Sequence, residues 1–257
     1  MDLDKLFIKN SAWVWNNLRD ARKLKIQLGE ESITDFLILN LMKLAASNLK
    51  IKTFTRKKEA VNGADWEWWF RGFSGKWLGM RIQAKVLSLS NERYNSLHYL
   101  NKNGHQVDLL IKDAQLYNMI PVYCMYSNWD PQKYNKPQSC KSHPSYVRHF
   151  GVSLLSVNNV KKFKKNNINQ LSKIIVDLIP LHCIVCSNNS LIKDLPTILL
   201  ENAKNSGLLF DDQFECLLQD NPPHYVQQIL NNENMDDLAI DKRLKAITIF
   251  QEIISTD

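Results

Sequence analysis

The sequence predicts an α/β fold, on two observations. Over the first 130 residues, segments whose apolar side chains recur at the helical spacing of three and four alternate with short runs of strand character. Gly, Asn and Pro punctuate the joins. The 257 residues also carry 44% hydrophobic and 23% charged side chains, an ordinary globular balance, with no internal repeat and no low-complexity tract. Disorder, a collagen-like repeat and a coiled coil are thereby excluded as descriptions of the whole chain.

Taken in order, residues 3–27 read as a helix carrying Leu6, Phe7, Trp13, Val14 and Leu18, with a basic end at Arg19, Arg22, Lys23 and Lys25. Gly29 breaks the chain, and a second helix is expected from about Glu31 to Asn48, on Ile33, Phe36, Leu37, Leu41 and Leu44. Residues 51–55 alternate like a strand. The basic run Arg56, Lys57, Lys58 leads to two further strands, about 64–70 and 77–87, whose connector Arg71-Gly-Phe-Ser-Gly-Lys76 has the composition of a hairpin turn. An amphipathic helix is expected over 106–117, a buried strand over 120–126, and a long Pro-, Asn-, Lys- and Ser-rich loop over 128–146. The second half is less legible. It holds a short basic cluster at Lys161, Lys162, Lys164 and Lys165, an apolar run over 174–186 with a Pro in its middle, helical character over 189–219, and a last strand near 246–250. A division near 150 gives 1–150 as the core. Residues 151–257 are then a mostly helical C-terminal part of unclear role, either appended or packed into the same domain.

The chain starts Met-Asp-Leu-Asp, without the basic and apolar regions of a secretory signal. Its longest apolar stretch, 36–46, is broken by Asn40 and Lys43, short of the ~18 residues a bilayer span needs. Five Cys, an odd number, suit reduced thiols better than a disulfide framework. A cytoplasmic protein with no membrane partner is expected. The 33 Lys+Arg against 26 Asp+Glu give a net charge of +7, which favours an acidic partner such as nucleic acid.

The chemistry concentrates in the hairpin. Side chains alternate across a strand, so Trp66, Trp68 and Phe70 share one face and Asp65, Glu67 and Trp69 the other. On the second strand Ile82, Ala84 and Val86 oppose Arg81, Gln83 and Lys85. A turn centred on Ser74 pairs Asp65 with Gln83 and Trp66 with Ile82, so the apolar faces coincide and so do the polar ones. Asp, Glu, Gln, Lys and Arg on one sheet face are unusual unless the face has a task. A carboxylate beside a lysine suits metal-assisted hydrolysis: carboxylate and amide oxygens hold Mg²⁺ (or Mn²⁺), and the lysine stabilises developing charge or orients water.

The order Asp65 … Gln83-Ala84-Lys85 resembles the PD-(D/E)xK, restriction-endonuclease-like nucleases. More narrowly, it is similar to the Gln-x-Lys variant of methyl-directed type IV restriction enzymes. The string Glu-Glu-x-Ile-Thr-Asp … Gly-Ala-Asp-Trp-x-Trp … Gln-Ala-Lys also resembles an uncharacterised bacterial family. The resemblance covers about 30–130, with no Pro before Asp65 and Gln83 in place of the usual acid. It implies a central mixed sheet flanked by helices and Mg²⁺-dependent phosphodiester hydrolysis of double-stranded DNA. A role in anti-phage defence, with a homodimer or a partner defence protein, goes with it. Asp65, Gln83, Lys85 and Glu31 would be catalytic, with Asp65, Glu31 and Gln83 on the metal, and Glu30, Glu67 and Gln106 auxiliary. Two rival readings are a non-catalytic nucleic-acid- or partner-binding module of the same fold and an RNase.

Each residue also has a plainer reading. Glu30 or Glu31 is an acid favoured at a helix start; Glu31, one turn from Asp35, is preferred as the ligand. Glu67 is equally a salt-bridge partner of Arg81 or Lys85, and Gln106 a solvated helix residue. Trp66 and Trp68 belong to the core, which leaves Trp69 as the one with a view of substrate, though packing against a helix is the commoner fate. Arg56, Lys57 and Lys58 are the best candidates for phosphate contact, because they closely precede the hairpin. Cys183-x-x-Cys186 is half of a zinc signature. The rest would come from Cys124, Cys140, His143, His149 and His182, none of which forms a second C-x-x-C or a clear H-x₃₋₅-H. Structural zinc is therefore not expected, and two ordinary buried thiols are.

Overall fold

Helix α1 (Leu3–Lys23) forms because Leu3, Leu6, Phe7, Val14, Leu18 and Ala21 make one buried stripe at helical spacing. Asp4 sits in its first turn and Arg22 and Lys23 in its last, each where the helix dipole favours that charge. At about 1.5 Å per residue it spans roughly 31 Å, the width of a small domain. Helix α2 (Glu30–Leu44) buries Ile33, Leu37, Ile38 and Leu41 in the same way. The computed structural model describes residues 2–44, 49–55, 65–187, 194–209, 217–232 and 244–252. For Leu49, Phe54, Thr55 and Asp65 it describes the main chain only.

The strands are β1 (Leu49–Thr55), β2 (Asp65–Arg71), β3 (Trp77–Val86), β4 (Leu100–Asn101), β5 (Gly104–His105), β6 (Met119–Tyr126), β7 (Val152–Ser156), β8 (Ile179–Pro180) and β9 (Leu244–Glu252). Between and after them come α3 (Gln106–Leu116), α4 (Val157–Lys165), α5 (Leu171–Ile174), α6 (Leu195–Asn205) and α7 (His224–Asn231). Seven strands make one mixed sheet in the order β1-β9-β2-β3-β6-β7-β8, and β4-β5 make a separate pair. The fold is the expected α/β one, a mixed sheet with helices on both faces. The expected boundary near 150 falls just before β7, inside this same sheet, and β7, β8 and β9 all come from the C-terminal part. Pro180 lies in the two-residue edge strand, where a missing N–H is tolerated. Of the helical character expected over 189–219, helix is found at α6. Its last turn closes with Ser206 Oγ donating to the Asn202 carbonyl at 2.7 Å.

The register of the hairpin is the one its parity dictates: Asp65 opposite Gln83, Trp66 opposite Ile82, Glu67 opposite Arg81. Gly75 makes the turn at φ +79°, a conformation side-chain-bearing residues rarely adopt. Beside β2, β9 runs parallel; beyond β3, β6 runs parallel too. One face of the sheet buries Trp66, Trp68, Phe70, Met80, Ile82 and Ala84 under α1 and α2. There the Phe7 ring stacks on Trp68 at 5.7 Å, Phe70 stacks on Phe250 at 4.8 Å, and Trp66 Nε1 donates to Thr248 Oγ1 at 2.9 Å. Aromatic pairs of this kind add about 0.5–1.5 kcal/mol beyond area burial, so they lock β9 to β2. Helix α1 crosses closely enough that a Cβ on Gly151 would lie 1.9 Å from the Ser11 carbonyl oxygen. The opposite face carries Trp69, Tyr123, Met125 and Leu155, covered by α3, α4 and α7.

Candidate active site

The described side chains on the polar face of the hairpin are enclosed. Glu67, Arg81, Gln83 and Lys85 are all 4% exposed or less, a burial such groups tolerate only where they are paired or have a task. They divide into two halves with different chemistry.

Toward the turn, Glu67 is saturated. Its Oε1 pairs with Arg81 Nη1 at 2.6 Å, and its Oε2 accepts from Trp69 Nε1 at 3.2 Å and from Tyr225 Oη at 2.8 Å. The plainer reading of Glu67 is the one the geometry supports: its oxygens are engaged by protein donors. The Glu67 carboxylate and burial together push the Tyr225 phenol well above its ordinary range, burial being the larger cause. Trp69 is fully buried against α7, and its indole N–H is spent on Glu67. The commoner fate, packing against a helix, is the one found, and the view of substrate is closed to it. Parity gave its face, but α7, some 155 residues on, covers that face.

Toward the open end lie position 65, Gln83 and Lys85. Asp65 and Gln83 are directly opposite in the register, and Lys85 follows two residues on, ~7 Å along the same face. Gln83 is completely buried. Its Nε2 donates to the Ala84 carbonyl at 3.4 Å, and its Oε1 has no hydrogen-bond partner among the described residues. Such an oxygen costs about 1–3 kcal/mol left unsatisfied, so it is an acceptor waiting for a proton or a cation. Gln106 starts α3, is 8% exposed, and also has an unpartnered Oε1, so it is not the solvated helix residue of the plainer reading.

The acid that joins this end is Glu30, where the sequence reading preferred Glu31. Glu30 is half-buried at the first position of α2. Burial pushes its carboxyl above the ordinary range, while the Lys85 ammonium, the Val86 backbone N–H and Lys245 favour its charged form. Glu31 has a side chain 60% exposed and lies 3.9 Å from Lys245 Nζ, which also reaches Asp35 at 3.1 Å. The two acids differ by ~100° around the helix, and only one can look inward. Behind Glu30, Thr34 Oγ1 donates to its carbonyl at 2.9 Å and meets Tyr126 Oη at 2.8 Å, fixing the helix start to β6.

Several residues of the basic clusters are engaged by protein partners. Arg56, Lys57 and Lys58 lie outside the described residues. Lys161 and Lys164 pair with Asp108, at 3.8 and 2.9 Å. Arg22 is used by the Leu89 and Asn128 carbonyls and by Glu92 at 3.4 Å. Tyr225 and Lys245 were missed by sequence reasoning. They reach Glu67 and Glu31 from more than 150 residues away, and no local pattern announces them. Far from the hairpin, Cys140, Cys183 and Cys186 are brought together with His143, His182 and Asp4. Among the described residues no helix is long and apolar enough to cross a membrane.

No curated protein and no solved structure matches this chain. A family model does, over residues 3–254, nearly the whole length and therefore the hairpin, α2 and β9 together. The chain belongs to that family, DUF6615, a family of unknown function.

Proposed function

We propose that the protein is a metal-dependent phosphodiester hydrolase acting on double-stranded DNA. One observation carries the reading: a buried Gln83 with an unsatisfied side-chain oxygen, opposite Asp65 and two residues before a buried Lys85, with the Glu30 carboxyl beside that lysine. Two carboxylates and an amide oxygen are the hard donors Mg²⁺ or Mn²⁺ takes, so Asp65, Glu30 and Gln83 would hold the ion. Bound there, it would polarise a phosphate and lower the pKa of water. Lys85, buried between strands, offers a fixed positive charge to the oxygens of the phosphorus centre as negative charge accumulates on them. Low exposure strengthens that attraction relative to water, and the Lys85 charge favours the ionised form of Glu30. Gln106, whose buried Oε1 has no hydrogen-bond partner among the described residues, would be an auxiliary acceptor for a water or a sugar hydroxyl. The surplus of seven positive charges raises the local concentration of a polyanion.

The test is divalent-dependent nicking of supercoiled plasmid by the purified chain, with labelled RNA in parallel. Asp65→Ala and Lys85→Ala are each expected to abolish cleavage while leaving the far-UV spectrum intact. Full activity in either variant refutes the assignment. Cleavage of RNA alone transfers it to an RNase, and binding in EDTA with no cleavage in Mg²⁺ or Mn²⁺ makes the fold a binding module.

A further inference from the structure

Two segments distant in sequence converge near the start of α1. Cys140 and His143 lie in the connection after β6, residues 127–146, which contains no helix or strand. Cys183 is on the 3-10 turn Leu181–Ile184, and Cys186 lies just beyond it. Cys140 Sγ is 3.4 Å from Cys186 Sγ, and the Cys140 backbone N–H donates to Cys183 Sγ at 3.2 Å. Ligand atoms of Cys140, His182 and Cys183 lie within 4.8 Å of one another, and so do those of Asp4, His143 and Cys186. A sulfur separation of 3.4 Å far exceeds the ~2.05 Å of a disulfide. It approaches the ~3.8 Å between two sulfurs that each sit ~2.3 Å from one tetrahedral ion. The spacing agrees: Cys140-x-x-His143 and Cys183-x-x-Cys186 are two tight turns, each able to present both of its side chains to one point.

We propose that Cys140, His143, Cys183 and Cys186 bind a structural zinc ion in a closed, four-coordinate Cys₃His site. His143 Nε2 lies 2.7 Å from Asp4 Oδ2. A ligating imidazole characteristically donates its other ring N–H to a carboxylate, so Asp4 fixes the tautomer and leaves Nδ1 for the ion. Backbone N–H donation to sulfur, seen at Cys183, stabilises thiolate charge in the same way. His182 Nε2 lies 3.7 Å from Cys183 Sγ, with its ring 5.7 Å from that of His143 and 5.2 Å from that of His149, so it is the rival for the histidine position, and His143→Ala and His182→Gln separate the two. The site would close a connection longer than the ~12–15 residues usual for unstructured loops. It would tie that loop to the turn after β8 and, through Asp4, to the start of α1. It is independent of the hairpin chemistry.

The test is metal analysis of the full chain purified without a metal resin. About one zinc per chain is expected, released by a mercurial and trapped by a chromogenic chelator. Co²⁺ exchange is expected to give the intense visible bands of a tetrahedral site with thiolate charge transfer. Cys183→Ser and His143→Ala should lose the metal, His182→Gln should keep it, and Asp4→Asn should weaken affinity ~10–100-fold. If Cys183→Ser does not fold, the wild-type cobalt spectrum and Asp4→Asn still decide. A metal-free chain that takes up no added zinc overturns the proposal. So does an octahedral cobalt spectrum, or a non-reducing mass lower by two hydrogens. Metal retained in His143→Ala and lost in His182→Gln overturns the ligand set.

Discussion

Replacing Arg81 by Met tests whether Glu67 is a structural anion, as its three partners indicate. Both groups of the pair are 1% exposed or less, and their closest atoms are 2.6 Å apart. With charge centres ~4 Å apart and an effective dielectric near 20, the attraction is about 4 kcal/mol. Arg81→Met withdraws it and leaves a buried carboxylate with only the neutral Trp69 and Tyr225 donors. The expected loss is about 3–5 kcal/mol. At roughly 2–4 °C per kcal/mol for a chain of this size, that is a fall in Tm of ~6–20 °C. The double variant Arg81→Met/Glu67→Leu removes the stranded charge as well. It orphans the Trp69 N–H and the Tyr225 O–H, yet it should still be about 2–3 kcal/mol more stable than the sum of the single variants. Urea unfolding followed by far-UV ellipticity measures all four corners of the cycle. The pair is too buried for salt to screen, so the coupling should survive 1 M NaCl, where the Debye length is ~3 Å. A loss below about 1 kcal/mol in Arg81→Met, or additivity within about 0.5 kcal/mol, refutes the reasoning.

Glu30→Gln should lower Mg²⁺-dependent nicking by about 10²–10³-fold, while Glu31→Gln leaves the rate in its original range; the reverse order would return the ligand role to Glu31. Glu92 predicts acid sensitivity. Burial pushes its carboxyl up, but the hydrogen bonds of Lys133 and Tyr134 and the charges of Lys133 and Arg22 outweigh that and hold it below its ordinary value. A depressed carboxyl contributes stability above its unfolded pKa and loses it as pH falls through the folded one. Glu92→Gln should therefore flatten the decline of stability on acidification below about pH 4.5 and cost about 1–3 kcal/mol at neutral pH, read from urea midpoints across pH. Gly151→Ala places a methyl 1.9 Å from the Ser11 carbonyl oxygen on a helix that cannot yield locally; thermal melting should show a loss of about 3 kcal/mol or more.

What could be read from sequence was what local geometry decides. The pairing of Asp65 with Gln83 followed from strand parity and the length of the turn, because both strands are near in sequence and one face is apolar. Helix α3 and strand β6 followed from periodicity for the same reason. The choice between Glu30 and Glu31 did not, because it turns on Lys85 from one side and Lys245 from the other, and Lys245 sits on a strand more than 200 residues away. Trp69 was given its face by parity and a helix as its commoner neighbour, but which helix, α7, is invisible from the hairpin. Cys183 and Cys186 stood out as half of a motif, but nothing within the sequence joins Cys140 and His143 to them; the turn after β8 does that in space.

The position of β9 has a consequence for biogenesis. It lies between β1 and β2, so the strand that flanks the hairpin is synthesised last. At ~5–20 residues per second, roughly 10–40 s separate translation of β2 from that of residue 252. Throughout that interval the outer edge of β2, rich in Trp, has no native neighbour and is open to strand addition from another nascent chain. A chain interrupted before residue 244 would keep that edge open for good and would be an aggregation hazard.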